Sequence, residues 1–344
     1  MIHSFSSRNL EEHYFENFSN LQRSLRDERS NHFSEQALRL SAGVVSATVA
    51  ALQADLARRQ LDISYLLSES SLPSIPVSDL PLTSAGEVQE KSPGDFVTQF
   101  DLDMNDHLTR MLTALRPIPI VSEEGPEVID FKRLPECWLL DPLDGTTAYI
   151  CGERSLCGPM VALLQEGEPI LSVMMTLDGK SLWLAERGRG AVKLSCIGGG
   201  TCWSYGKKVG GGADRLATGT VLLNPQADLA RSHLDFLSIQ RRLSEGTHAL
   251  AVERRVPHSM GALRLGEHAR VAVIHDNSPQ HPKQMPWDIL PVKLWLEERG
   301  AFVIGSDGES YDIERPMPII IAINATVAKE LLSMASEYGG FNRP

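Results

Sequence analysis

The chain has 344 residues, of which 42% are hydrophobic and 22% charged, ordinary globular values with material for one large or two medium domains. Its net charge of -11 argues against a nucleic-acid polymer as partner. No segment approaches the roughly 18 uninterrupted apolar residues of a spanning helix, and the N-terminus lacks a basic-then-apolar leader pattern. The expectation is a soluble, cytoplasmic protein with no membrane partner.

Residues 1–34 are rich in Ser, Asn, Glu and Arg, and read either as a mobile arm or as an added helix capping the domain or a partner subunit. From Glu35 onward Leu38, Ala42, Val45, Val49, Leu52 and Leu56 recur at steps of three and four, the stripe of a long packing helix. Residues 68–90 read as a loop. Lys91 to Asp101 then mixes a Pro-Gly turn with the strand-like Phe96-Val97-Thr98 and starts a helix at Asp101, whose side chain suits its cap. That helix ends before Pro117, and a strand over Ile118 to Val121 delivers Ser122-Glu123-Glu124-Gly125. Adjacent glutamates on a loop are ordinarily solvated.

The centre of the chain is Trp138-Leu139-Leu140-Asp141-Pro142-Leu143-Asp144-Gly145-Thr146-Thr147. An apolar run breaking into turn-formers predicts a buried strand leaving its sheet, with Asp141 at the strand end and Asp144 in the turn. Two carboxylates this close suit hard cations. Gly145, Thr146 and Thr147 suit a helix start, where free N–H groups attract phosphate oxygens.

Beyond it, Met160 to Leu164 and Ile170 to Met175 predict an antiparallel hairpin, followed by a strand over Ser181 to Ala185. The glycine runs 198–200 and 210–212 do not join a strand to a helix, so they make no nucleotide-binding loop. A boundary is expected near residues 213–218. Strands from Thr220, a helix over 227–242 and another from Gly261 predict a smaller α/β half. Trp287-Asp288 opens a last helix running to Gly300. Asp288 suits its N-cap, and Pro286 and Pro291 are expected before or within the first turn. Cys137, Cys151, Cys157, Cys196 and Cys202 match neither zinc nor redox spacing and read as reduced thiols.

Asp-Pro-Leu-Asp-Gly-Thr-Thr at 141–147, Lys91 to Asp101, Ser122 to Gly125 and Pro286-Trp287-Asp288 together resemble, in order, the motifs of the inositol monophosphatase family of magnesium-dependent, lithium-sensitive phosphatases. The resemblance runs from about Glu35 to the C-terminus. It implies an α/β protein with a layered α-β-α-β-α fold: an N-terminal extension over 1–34, a metal- and phosphate-binding α+β domain over 35–215, and a smaller α/β domain over 216–344 that completes the site. It implies that Asp101 and Thr146 activate the attacking water. Glu123, Asp141 and the Leu143 carbonyl would hold one Mg²⁺, and Asp141, Asp144 and Asp288 a second. A third, looser ion would sit near Glu123 and Asp101.

The implied reaction is hydrolysis of a small polyol, sugar or amino-alcohol phosphate by a homodimer. Alternatives are a 3'(2'),5'-bisphosphate nucleotidase, a histidinol-phosphate phosphatase, or a non-catalytic phosphate-binding regulatory relative. Inositol-binding members carry an acidic residue shortly before the final Trp-Asp. Here residues 277–285 hold none, and His281 and Lys283 stand where a second anionic group of the substrate could be met.

Overall fold

A computed structural model of the chain describes residues 15–26, 32–59, 88–92, 95–125, 130–197, 200–205, 220–224, 249–252, 263, 272–275, 285–305, 307–313 and 319–337. It divides into two units, Met1–Tyr205 and Gly206–Pro344. Both mix helices with sheet, the α/β class expected.

The first unit is built on seven strands: β3 (Ile120–Ser122), β4 (Glu136–Asp144), β5 (Gly158–Gln165), β6 (Glu168–Met175), β7 (Ser181–Glu186), β8 (Gly190–Ile197) and β9 (Gly200–Tyr205). They lie side by side in chain order. β3 runs parallel to β4, and each later pair is antiparallel. A separate hairpin pairs β1 (Val88–Ser92) with β2 (Asp95–Thr98). Trp138 and Leu140, Val161 and Leu163, Leu171 and Val173, Leu182 and Leu184 all belong to one core cluster. Their spacing of two puts them on one sheet face.

Helices cover that face. α1 (Glu16–Ser24), α2 (Glu35–Arg59) and α3 (Gln99–Leu115) contribute Phe18, Leu21, Leu40, Val44, Met104 and Leu108 to the same cluster. The described part of the N-terminal stretch is therefore an added helix. Phe18 lies so close to Gly179 that a Cβ there would come within 2.9 Å of its ring, and Asn17 Nδ2 donates to the Asp178 carbonyl at 3.2 Å.

The buried face of α2 is offset from the predicted stripe. Ala37, Leu40, Val44, Val45, Ala51 and Leu52 are buried, whereas Leu38, Ala42 and Val49 pack only at its margin. Small and polar residues explain the offset: Ser41 and Thr48 are fully buried, their hydroxyls donating to the carbonyls of Ala37 and Val44. Hydroxyls satisfied within the helix pack as core residues. By length and hydropathy Glu35–Asp55 could cross a membrane, but its buried residues form the core beneath the sheet.

The second unit holds a five-stranded sheet in the order β11 (Ala249–Val252), β10 (Thr220–Asn224), β12 (Ala272–His275), β14 (Ile319–Ala322), β13 (Phe302–Gly305). β10 is parallel to both neighbours, and β14 is antiparallel to both of its own. α5 (Pro286–Glu298) packs against β13 and α6 (Ala325–Glu337) against β14. The helices expected over 227–242 and from Gly261 fall almost wholly outside the described residues, as do both glycine runs apart from Gly200.

One close approach ties the first sheet to the acidic stretch. Gly158, at the start of β5, pairs with Asp144, and a Cβ on it would stand 1.9 Å from the Met175 carbonyl oxygen. Gly158→Ala is expected to destabilise the protein by about 3 kcal/mol through forced backbone displacement. Urea denaturation reads this as a lowered midpoint; an unchanged midpoint would contradict it.

Candidate active site

The hairpin β1–β2 runs directly into α3, and the junction is a capping box. Thr98 is the N-cap in extended backbone, and its N–H donates to Asp101 Oδ2 at 2.8 Å. Its hydroxyl also donates to Asp101 Oδ2 and accepts from the Asp101 N–H at 3.4 Å. The helix thus begins at Gln99 rather than Asp101. Thr98 is the cap, and Asp101 takes the third position, where an acid can reach back to the cap. Asp101 is 2% exposed.

Its other oxygen, Oδ1, accepts from Thr146 Oγ1 at 2.8 Å. The same hydroxyl lies 3.2 Å from the Leu143 carbonyl. Burial raises the Asp101 pKa, and the hydrogen bonds from Thr98 and Thr146 only partly counter that shift.

β4 carries the two central acids. Rather than leaving the sheet at Asp141, the strand continues to Asp144, with an irregularity in its pairing to β5 between the two. Pro142 has no N–H to give a ladder, which favours such a break. Within it the Leu143 N–H donates to Asp141 Oδ1 at 2.8 Å. Asp141 and Asp144 are 1% and 7% exposed, and each offers a carboxylate oxygen within 4.8 Å of the other's. Gly145 follows at φ 85°, a left-handed turn that disfavours a side chain. α4 (Thr146–Ile150) begins at once. Thr146 is half-buried and Thr147 exposed.

β3 leads into the fourth acid, Glu123. Ser122 Oγ donates to Asn105 Oδ1 of α3 at 2.7 Å, and the Glu123 N–H donates to the Leu140 carbonyl at 3.0 Å. Burial raises the Glu123 pKa, while Lys91 and a hydrogen bond with Asp141 pull it back. Lys91 Nζ lies 3.0 Å from Glu123 Oε1 and 2.7 Å from Glu124 Oε1. Burial alone would lower the Lys91 pKa, but the two glutamates outweigh it and hold the ammonium form. Lys91 heads one of the motif segments, yet its residue type alone assigned it no role.

The first unit thus brings Asp101, Thr146, Leu143, Asp141, Asp144 and Glu123 into one connected set, with Gly145 and Thr147 adjoining. Its donors are oxygens from carboxylates and a backbone carbonyl, the chemistry that suits Mg²⁺. In the second unit Asp288 is half-buried and is the third residue of α5. The cap is Met285, to whose carbonyl the Asp288 N–H donates at 3.1 Å. Pro291 lies beyond the first turn, inside the helix, so the Trp287 carbonyl lacks the donor a residue four positions on would supply. His281 and Lys283 lie outside the described residues.

The chain belongs to the inositol monophosphatase family, whose sequence model matches residues 78–338. A 3'(2'),5'-bisphosphate nucleotidase of Aggregatibacter actinomycetemcomitans is 38% identical over 111 residues, 31% of this chain and 40% of its own. A Streptomyces griseus protein named glucose-1-phosphate thymidylyltransferase is 36% identical over 107 residues, 31% of this chain and 41% of its own. The chain therefore spans about two-fifths of those relatives' length. An inositol-1-monophosphatase of Mesorhizobium japonicum is 25% identical over 72% of this chain and 87% of its own. The fold resembles an inositol monophosphatase/NADP phosphatase solved with Mg²⁺ and phosphate, at TM-score 0.58 and 20% identity over 86% of this chain and 99% of that one.

Proposed function

We propose that this protein is a magnesium-dependent phosphomonoesterase acting on a small polyol, sugar or amino-alcohol phosphate. The observation that carries the reading is the 2.8 Å hydrogen bond from Thr146 to buried Asp101, beside the paired carboxylates of Asp141 and Asp144. Phosphate-ester hydrolysis is slow because negative charge must be attacked and then spread further, so catalysis is largely positioning and neutralisation. The donor set would hold two to three Mg²⁺: Glu123, Asp141, Asp144, the Leu143 carbonyl and, from the second unit, Asp288. What the bound ions supply is a lowered water pKa and a counter-charge for the phosphoryl oxygens.

The chain's own groups do the rest. Asp101, whose burial makes it a stronger base than a surface carboxylate, takes the Thr146 hydroxyl proton as Thr146 Oγ1 accepts one from the attacking water. Backbone N–H groups of Gly145, Thr146 and Thr147 receive phosphate oxygens. His281 and Lys283 meet a second anionic group on the substrate. That last role suits the nucleotidase reading, which the 38% identity to a bisphosphate nucleotidase also supports. A purely regulatory phosphate binder is disfavoured, because Asp101, Glu123, Asp141, Asp144, Thr146 and Asp288 are all present. A cytoplasmic homodimer completes the reading; sedimentation of the purified chain as a monomer would remove the dimer.

A panel of phosphate esters assayed with and without Mg²⁺ is expected to show release only with the ion, inhibited by Li⁺. Asp141→Asn should reduce release by at least about a hundredfold and remove the rise in melting temperature that Mg²⁺ gives the wild type. Full activity in that variant would contradict the assignment. The base role also has a pH signature. Asp101 works unprotonated, so kcat/KM should fall with decreasing pH as its carboxylate takes up a proton. A profile that stays flat down to the pH at which the fold is lost would contradict the base role.

A further inference from the structure

Tyr149 stands three residues after Thr146 on α4, and its two ends meet two different helices. Its ring stacks on Phe100 with centroids 4.7 Å apart and planes 17° from parallel, and Phe100 is the residue before Asp101 on α3. Its hydroxyl donates to Asp55 Oδ2 on α2 at 2.9 Å. Both partners are buried, Asp55 at 2% and Tyr149 at 6% exposure.

A carboxyl group in the body of a core helix costs stability unless hydrogen-bonded, and an apolar pair of like volume would fill such space more cheaply. What the hydrogen bond adds is direction. Two contacts therefore run side by side between α4 and the start of α3: Thr146 to Asp101 at 2.8 Å and Tyr149 to Phe100. α4 has only five residues, too few to hold a helical position unaided, and Tyr149 anchors it to α2 as well.

We propose that Asp55 and Tyr149 are a positioning pair: together they set the placement of α4, keeping the Thr146 hydroxyl on Asp101 and the phosphate-receiving turn in register. Asp55 is assigned no step of the reaction and acts through its hydrogen bond with Tyr149. The catalytic consequence rests on the phosphomonoesterase reading; the geometric one does not.

Tyr149→Phe keeps the ring stack and removes only the hydroxyl. It is expected to lower kcat on the order of tenfold, with KM and the Mg²⁺-induced thermal shift changed less than about twofold. A crystal structure of the variant should show Thr146 Oγ1 displaced from Asp101 Oδ1. Asp55→Ala should reproduce the loss, and Asp55→Asn, whose amide oxygen still accepts, should recover most of it. The double variant Tyr149→Phe/Asp55→Ala should lose less than the product of the two single losses, because both remove the hydrogen bond between them.

A purely structural role would lower the melting temperature and leave kcat, measured well below it, unchanged. That outcome, or an undisturbed Thr146–Asp101 bond in the variant crystal, overturns the proposal. A wild-type protein that hydrolyses no ester on the panel would sink the hydrolase reading instead, and the crystallographic comparison would still decide this one.

Discussion

Three carboxylates held almost wholly out of water are the constraint around which the first unit is arranged. Asp101, Asp141 and Asp144 are each less than a tenth exposed, and burying like charges together is strongly unfavourable unless donors or cations meet them. The chain supplies part of that compensation: the Leu143 N–H to Asp141, and both the N–H and hydroxyl of Thr98 with Thr146 to Asp101. It also places Lys91 between Glu123 and Glu124. Divalent cations would supply the rest, and under the proposed function the same residues would be both the metal site and a source of instability without metal.

The backbone devices around the acids follow from this constraint. A break in the pairing of β4 between Asp141 and Asp144 lets two acids three residues apart approach one another, where a regular strand would put them on opposite faces. Gly158 lets the partner strand pass the Met175 carbonyl at that break. Gly145 then turns the chain into α4, bringing Thr146 onto the oxygen of Asp101 that the capping box leaves available. Positions of this kind store local cost and are expected where function demands a particular geometry.

How far this was legible from residues depends on range in the chain. Asp141, Leu143, Asp144, Gly145 and Thr146 lie within six positions, and a strand breaking into turn-formers already suggests their grouping; Asp101 and Glu123 join them only through the family resemblance. Boundaries were less legible. Thr98 rather than Asp101 caps α3, which residues alone did not show because a capping box and a single acidic cap look alike in sequence, and Pro291 sits inside α5 although proline normally argues for a first turn. The buried face of α2 was offset because Ser41 and Thr48 count as core once their hydroxyls bond within the helix. The Asp55–Tyr149 contact joins residues 94 positions apart, and no local pattern announces it.

The proposed function rests on acids from separate stretches of sequence, Asp288 among them, sharing divalent cations. Anomalous diffraction from a crystal soaked in Mn²⁺ tests it most directly, since Mn²⁺ accepts the same oxygen donors and scatters anomalously. The account predicts at least two peaks, both touching Asp141, one also bound by Glu123 and the other by Asp144 and Asp288. Well-ordered crystals with no peak at Asp141, or with Asp288 remote from every peak, would contradict it.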